Sequence, residues 1–318
     1  MKVLVVVNPI AGGGAAARGA ERLVRRLGDR GHAVECFSTR SPEEAGERVR
    51  KRESEGDLDR IVVAGGDGTV NDVLNGLEDP SRIPLAHLAY GTANMLAREL
   101  GIPRDPEALA ALVERGTCRR LDLGRAGSRR FLLVASSGFD AMVTRAISRT
   151  HRGTLGYPGY ARPILRALRH YRAPRLRVYV DGAEPLPGAL AVVSNIRNYG
   201  GIFSIADRAR PDSGVLDICV FSGGRVGDLL RYACAAGARR VSRLPDVAYR
   251  TGRRIVIEAQ EPTAVQIDGD YRGTTPLSIE VDASVVPILT PQARIDPPRA
   301  ADHPEENARN ARSKRARI

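Results

Sequence analysis

Apolar residues in the first third of the chain come in short unbroken runs, separated by segments with helical spacing. Val3–Val7 and Ile61–Ala64 are continuous runs, as strands covered on both faces should be, and Leu85–Ala89 reads as a strand of the same sheet. Val34–Ser38 reads as a further strand. Residues 15–30 carry Ala20, Leu23, Val24 and Leu27 at helical spacing, and Val70 to Leu77 repeats that period. Ser41-Pro42-Glu43-Glu44 is a helix start with Ser as N-cap, and Asp105-Pro106 opens another helix that ends near Gly116. The rhythm predicts an α/β N-terminal domain built on a parallel sheet, with ligands at the carboxyl ends of its strands.

After about Leu121 short β-like runs dominate: 131–136, 176–180, 189–194, 215–221, 254–258, 263–267, 277–281 and 285–289. They predict a C-terminal antiparallel β-sandwich domain, interrupted by helices near 158–172 and 226–243. The expected domains are 1–120 (α/β), 121–290 (β-rich, its last strand able to return to the first domain) and a disordered tail, 291–318.

Four loops follow the strand ends: Asn8–Gly14, Thr39–Ser41, Gly65–Thr69 and Gly91–Asn94. Gly65-Gly66-Asp67-Gly68-Thr69 is the strongest signal. Three glycines allow close approach of the backbone, and the helix that follows aims its free N–H groups and positive dipole end at the same point. Strand, glycine loop and helix start suit a phosphate. Asp67 cannot hold phosphate directly, so a magnesium ion or its bound water belongs between them. Thr69 is placed either to cap the helix or to donate to a phosphate. Asn8-Pro9-Ile10-Ala11-Gly12-Gly13-Gly14 reads as a second cradle, and Tyr90-Gly91-Thr92-Ala93-Asn94 as the other jaw. Asp268-Gly269-Asp270 is either a hairpin turn or the source of a carboxylate that accepts a proton from an attacking hydroxyl.

Composition narrows the field. Aromatic residues are 4% of the chain and Trp is absent, so stacking on single-stranded nucleic acid is not expected. The net charge of +12 rests on arginine, since Lys occurs only at 2, 51 and 314. That balance suits an anionic partner such as a membrane surface. Residues 160–171 set Ile164, Leu165 and Leu168 against Arg162, Arg166 and Arg169. This reads either as a helix packed on its own domain or as one lying on a membrane. Cys36, Cys118, Cys219 and Cys234, like the five histidines, lack metal-ligand spacing. No secretory signal and no apolar run long enough to span a bilayer is read, so the expectation is a cytoplasmic protein, peripheral at the inner membrane face.

The chain resembles the diacylglycerol kinase catalytic family, which includes bacterial lipid kinases and the sphingosine kinases. Asn8-Pro9 with its glycines, Gly65 through Gly76, Gly91-Thr92-Ala93-Asn94 with Ala97, Ser137-Gly138-Phe139-Asp140 and Asp268-Gly269-Asp270 carry the likeness, over roughly residues 1–290. The Gly65 block is shared in shorter form with NAD kinases and phosphofructokinases, so an NAD kinase/phosphofructokinase-like first domain is implied. The resemblance implies ATP and Mg2+ between the domains and transfer of the γ-phosphate to a lipid hydroxyl. By position, Asn8, Pro9, Gly12 and Thr39 line the nucleotide, and Gly65, Gly66, Asp67, Gly68, Thr69 and Asn71 hold phosphates and adenosine. Thr92 closes the site, Asp67 organises magnesium through water, and Asp270 is the general base, where Glu is commoner. A structural magnesium site is implied near Arg210–Leu216, with Ser213 where an Asp is usual and Asp212 as the available ligand. Met95 replaces another usual Asp.

The expected function is an ATP-dependent lipid kinase acting on diacylglycerol or a related lipid alcohol. Alternatives are a soluble-metabolite kinase of the NAD kinase type and an inactive nucleotide- or membrane-binding homologue. Expected partners are a lipid substrate and an anionic membrane surface, with no nucleic acid. A homodimer is compatible with the sequence but not specified by it.

Overall fold

The computed structural model describes residues 1–150 and 156–291. The first domain runs β1 (Lys2–Val7), α1 (Ala15–Asp29), β2 (Ala33–Ser38), α2 (Pro42–Ser54), β3 (Arg60–Gly65), α3 (Asp67–Gly76), β4 (Leu85–Ala89), α4 (Met95–Leu100) and α5 (Pro106–Arg115). Its strands lie parallel in the order β2-β1-β3-β4. Each run read from the sequence as a doubly covered strand is fully buried, with Val3 to Val6 and Ile61 to Ala64 wholly out of solvent. Asp105 caps α5 by accepting from the Ala108 amide at 2.9 Å. Ser41 stands at the N-cap of α2 as read, with no side-chain cap hydrogen bond, and the Glu44 carboxylate accepts from the Arg40 amide.

The chain continues as β5 (Thr117–Ala126), β6 (Arg129–Phe131), β7 (Val134–Ser137), α6 (Phe139–Thr150), α7 (Ala161–Arg169), β8 (Leu176–Val180), β9 (Leu186–Gly188) and β10 (Leu190–Ser194). A small hairpin, β11 (Asn198–Tyr199) and β12 (Phe203–Ser204), precedes β13 (Leu216–Phe221), α8 (Val226–Gly237), β14 (Val247–Gly252), β15 (Arg254–Ala259), β16 (Ala264–Ile267), β17 (Asp270–Thr274) and β18 (Leu277–Thr290). One sheet, in the order β14-β13-β10-β7-β16-β17, is antiparallel throughout. Its inner face packs on β5, β8, β15 and part of β18 through a core that includes Phe131, Val178, Val193, Ile218, Ile257 and Ile279. That is the expected sandwich.

Two runs read separately, 277–281 and 285–289, form the single strand β18. A bulge between Val281 and Val285 lets it bend while β5 stays paired along its length. Its C-terminal end lies parallel to β4, with Ile288 opposite Leu85, so one sheet runs through both halves of the molecule. Helix α6 was not read from the sequence. Val143, Thr144, Ile147 and Thr150 are β-branched, which weakens the helical signal.

Phe131 is fully buried, and its ring fills the space where a side chain at Gly124 would stand. Phe131→Ala is expected to lower unfolding free energy by about 3–5 kcal/mol. Urea unfolding with an unchanged midpoint would contradict its place in the sandwich core.

Candidate active site

The four glycine- and threonine-bearing loops meet at the carboxyl edge of the parallel sheet. Strand β1 lies between β2 and β3, so the direction of winding reverses there and opens a crevice. Asn8, after β1, donates from Nδ2 to Thr69 Oγ1 at 3.4 Å, across that crevice. Asn8 Oδ1 accepts from the Ile10 amide at 3.3 Å and shapes the turn into Gly12–Gly14. Those three glycines all have positive φ: 59°, 62° and 86°. A side chain at Gly12 would stand 3.0 Å from the Tyr90 carbonyl, so Pro9 and Gly12 lie on the arm that folds over toward the β4 loop. Thr39 closes the β2 side: its amide and hydroxyl both donate to the Val7 carbonyl, at 2.8 and 3.2 Å.

The turn after β3 is tighter than the sequence suggests. Helix α3 begins at Asp67, with Gly66 as N-cap. Two of its glycines answer to the protein's own packing. A Cβ at Gly65 would lie 2.6 Å from Thr69 Oγ1, and one at Gly91 would lie 2.6 Å from Gly66 Cα. The third, Gly68, is exposed, with nothing within 4 Å of its would-be Cβ. The open side of the α3 N-terminus is therefore at Gly68, beside amides that have no intrahelical partner.

Asp67 points to the neighbouring loop. Its two carboxylate oxygens accept from the Met95 and Leu96 amides at 2.9 and 3.2 Å, so it caps α4 from outside. Asn94, in the left-handed region at φ 46°, holds the Gly91–Asn94 turn closed: Oδ1 accepts from the Gly91 amide and Nδ2 donates to the Gly91 carbonyl, both at 2.7 Å. Thr92 lies on this turn, half-buried. Beneath it, His87 Nε2 sits 3.1 Å from the Gly65 carbonyl, and burial holds its pKa down.

The far side of α3 belongs to the second domain. Asn71 donates to Asp268 Oδ2 at 2.8 Å and to the Arg130 carbonyl at 3.1 Å, while its Oδ1 accepts from Arg129 at 2.5 Å. Its amide is thus engaged between domains. Asn75 exchanges two hydrogen bonds with the Arg130 backbone, each 2.9 Å.

Asp268 and Gly269 form a two-residue hairpin turn between β16 and β17, both with positive φ. The sequence left open which carboxylate of this turn is chemical, and the family resemblance pointed to Asp270. Asp268 is buried and accepts from Asn71, Leu132, Leu133 and Val134, at 2.8 to 3.0 Å. Burial pushes its carboxyl up to about 6 against those donors. Asp270 stands exposed at the rim, 2.8 Å from Arg272. Next to it, Asp72 is half-buried and paired with Arg129 at 3.2 Å. Burial, and secondarily the Asp270 charge, raise Asp72 to about 6.

Arg18 was overlooked. It follows Gly14 in the first turn of α1, a turn without acidic residues, and Nη1 lies 3.5 Å from the would-be Gly14 Cβ. A cation there opposes the helix dipole and is favoured by an anion.

These residues fit a magnesium-bound nucleotide. The open glycine arm, the Gly68 face of α3 and Arg18 suit phosphate oxygens, and each Asp67 oxygen keeps a lone pair for a metal-bound water. The Asp212 carboxylate faces Arg119 at 2.9 Å and Arg210 at 3.7 Å.

Comparison with known proteins agrees with this geometry. Residues 2–126 match the diacylglycerol kinase catalytic domain model, and residues 133–290 match the YegS C-terminal NAD kinase beta sandwich-like domain model. A diacylglycerol kinase of Mycobacterium tuberculosis is 30% identical over 299 residues, 92% of this chain and 96% of that one. A diacylglycerol kinase of Bacillus subtilis is 25% identical over 276 residues, 86% of this chain and 90% of that one. A crystal structure from Bacillus anthracis superposes with TM-score 0.75 at 27% identity, covering 92% of this chain and 95% of that one. The two-domain fold and the glycine crevice define a kinase of the α/β plus β-sandwich class. The chain belongs to the diacylglycerol kinase family, and ATP use goes with that membership.

Gly91→Ala is expected to cost about 1–3 kcal/mol, because backbone must move to admit the methyl group. Gly68→Ala should leave stability within about 0.5 kcal/mol yet weaken Mg·ATP binding. Thermal unfolding and calorimetric titration separate the two. Equal effects of both substitutions on both readouts would contradict the assignment of Gly68 to the ligand face.

Proposed function

We propose that the protein is an ATP-dependent lipid kinase that phosphorylates the hydroxyl of a diacylglycerol-like lipid alcohol. The observation that carries the lipid reading is an outward-facing apolar patch beside the site. Tyr157, Ile164, Leu165 and Ile202 are exposed, Leu165 by 66% and Ile202 by 60%. The face of α7 expected to pack inward is only partly inward: Pro163 is buried and Leu168 packs on the core, while Ile164 and Leu165 are not covered. Tyr157 donates to the Gly200 carbonyl at 3.0 Å, and the Gly201 backbone packs between the Tyr157 hydroxyl and the Ala93 carbonyl of the nucleotide-side loop. Apolar side chains exposed on an arginine-bearing helix suit an anionic membrane surface. A soluble metabolite gains nothing from such a patch. No described helix is long and apolar enough to cross a membrane, which suits peripheral contact from one side.

Bound Mg·ATP would supply the phosphoryl group and offset its charge. The chain's own part is positioning. The glycine arm and the α3 N-terminus would hold phosphate oxygens, Asp67 would hold the magnesium through its water, and the 268–270 turn brings carboxylate to the acceptor side. In that turn Asp268 has both oxygens filled by four donors and fixes the geometry. Asp270, with Arg272 as its hydrogen-bonding partner and access to the rim, receives the hydroxyl proton.

Asp270→Asn should melt like the parent, Asp67→Asn somewhat below it because an amide cannot accept from both the Met95 and Leu96 amides, and both should stay folded and lose at least about 100-fold in lipid phosphorylation, read by mass spectrometry of a lipid extract with ATP and magnesium. Parent activity on NAD but on no lipid would replace this reading with a soluble-metabolite kinase. An inactive, normally folded Asp268→Asn beside an active Asp270→Asn would move the proton acceptor to Asp268.

A further inference from the structure

We infer that His87 is a positioning residue for the nucleotide's phosphates: its ring fixes the Gly65–Gly66 peptide so that the Gly66 amide faces the phosphate crevice. This rests on the phosphate site placed at the α3 N-terminus and deepens it. His87 stands in the middle of β4, whose other side chains, Leu85, Ala86, Leu88 and Ala89, are aliphatic and buried. It is 1% exposed, and its ring meets the Gly65 carbonyl through Nε2 at 3.1 Å. A carbonyl only accepts, so Nε2 carries the proton. Burial lowers the pKa of the ring, against the Asp67 carboxylate and the Gly65 carbonyl and with Arg104, which keeps it neutral. Nδ1 is then a lone pair, buried and without a partner. A polar atom in that state costs more than an aliphatic side chain would at the same place. The bond to Gly65 is what sets the ring apart from an aliphatic residue there.

The held peptide joins the end of β3 to Gly66, the N-cap of α3. Strand β3 lies between β1 and β4. The Ala64 carbonyl turns toward β1, where it accepts from the Asn8 amide at 2.9 Å. The Gly65 carbonyl turns the other way and accepts from the Tyr90 amide at 2.8 Å as well as from His87. Gly66 is still extended, at φ −96° and ψ −178°. A trans peptide sets its N–H opposite its carbonyl, so the Gly66 amide points back to the β1 side. There β1 has ended, and Asn8 leads into the Gly12–Gly14 arm. Gly66 is half-buried, and its amide has no hydrogen-bond partner among the described residues. Two donors on the Gly65 oxygen fix the plane of the peptide and polarise it, which makes the Gly66 N–H a stronger donor to an anion. His87 acts through this backbone from beneath the crevice.

The test is calorimetric titration of the full-length protein with Mg·ATP, beside the amide signal of Gly66. His87→Leu removes the donor, and His87→Gln keeps one at nearly the reach of Nε2. Both remove the ring, so the difference between them isolates the hydrogen bond. His87→Leu should bind Mg·ATP about 3- to 10-fold more weakly than the parent, and His87→Gln within about 2-fold of it. Without nucleotide, His87→Leu should melt at or above the parent's temperature, since the Tyr90 amide still satisfies the Gly65 carbonyl and the buried Nδ1 is gone. A histidine of structural value alone would lower that temperature and leave Mg·ATP affinity untouched. His87→Val, also without a donor and favoured in a strand, should weaken binding likewise and decides the matter if His87→Leu does not fold. Parent-like binding by the Leu or Val variant, or a His87→Gln as weak as His87→Leu, overturns the role of His87 and leaves the phosphate site standing. A parent whose Gly66 amide stays still at saturating Mg·ATP overturns the phosphate site, and the role of His87 with it.

Discussion

The molecule turns on a contact between two backbones. Gly66 and Gly91 approach so closely that a methyl group at Gly91 would stand 2.6 Å from Gly66 Cα and one at Gly66 3.1 Å from Gly91 Cα, and this brings the turns after β3 and β4 together. Once they touch, Asp67 is held where it caps α4, and the N-terminus of α3 is left facing the crevice between β1 and β3. Asn8 and the Gly12–Gly14 arm close over the same point. The anion site we propose rests on strand order and close packing, with dipole and free amides as its chemistry.

The same helix fixes the second domain. The polar face of α3, Asn71, Asp72 and Asn75, meets Arg129, Arg130 and Asp268 instead of solvent. Asp268 makes four hydrogen bonds, and a pKa moved from 3.8 to about 6 by burial corresponds to about 3 kcal/mol of cost for keeping it charged. A buried carboxylate held at that cost sets the angle of the turn bearing Asp270, and so the distance between the nucleotide side and the acceptor side. The strand β18 reinforces the junction by pairing with β5 and, at its end, β4.

Much of this was legible in the sequence. Unbroken apolar runs gave the parallel strands, and turn-bounded short runs gave the sandwich, because period and burial are local properties. The glycine loops were read correctly as strand-to-helix turns, but the reason for two of the glycines was not. Gly65 yields to Thr69 and Gly66 to Gly91, contacts between segments that no local pattern reveals. Asp268 was not told apart from Asp270, because Asp-Gly is a common turn pair, and only the fold shows Asn71 and three amides converging on it. Helix α6 was hidden by β-branched residues. Arg18 did leave a sequence signal, a basic residue in the first helical turn. The exposure of Ile164 and Leu165 could not be told from their helical spacing, which is the same for a packed and an unpacked face.

The central claim is that a nucleotide's phosphates lie where β1 and β3 end. Amide chemical shifts of the full-length protein titrated with Mg·ATP test it most directly. The largest changes are expected at Gly12–Gly14 and from Gly65 to Thr69, with smaller ones at Gly91 to Asn94. Saturating Mg·ATP that moves none of these amides, whether by failing to bind or by binding elsewhere, would contradict the account.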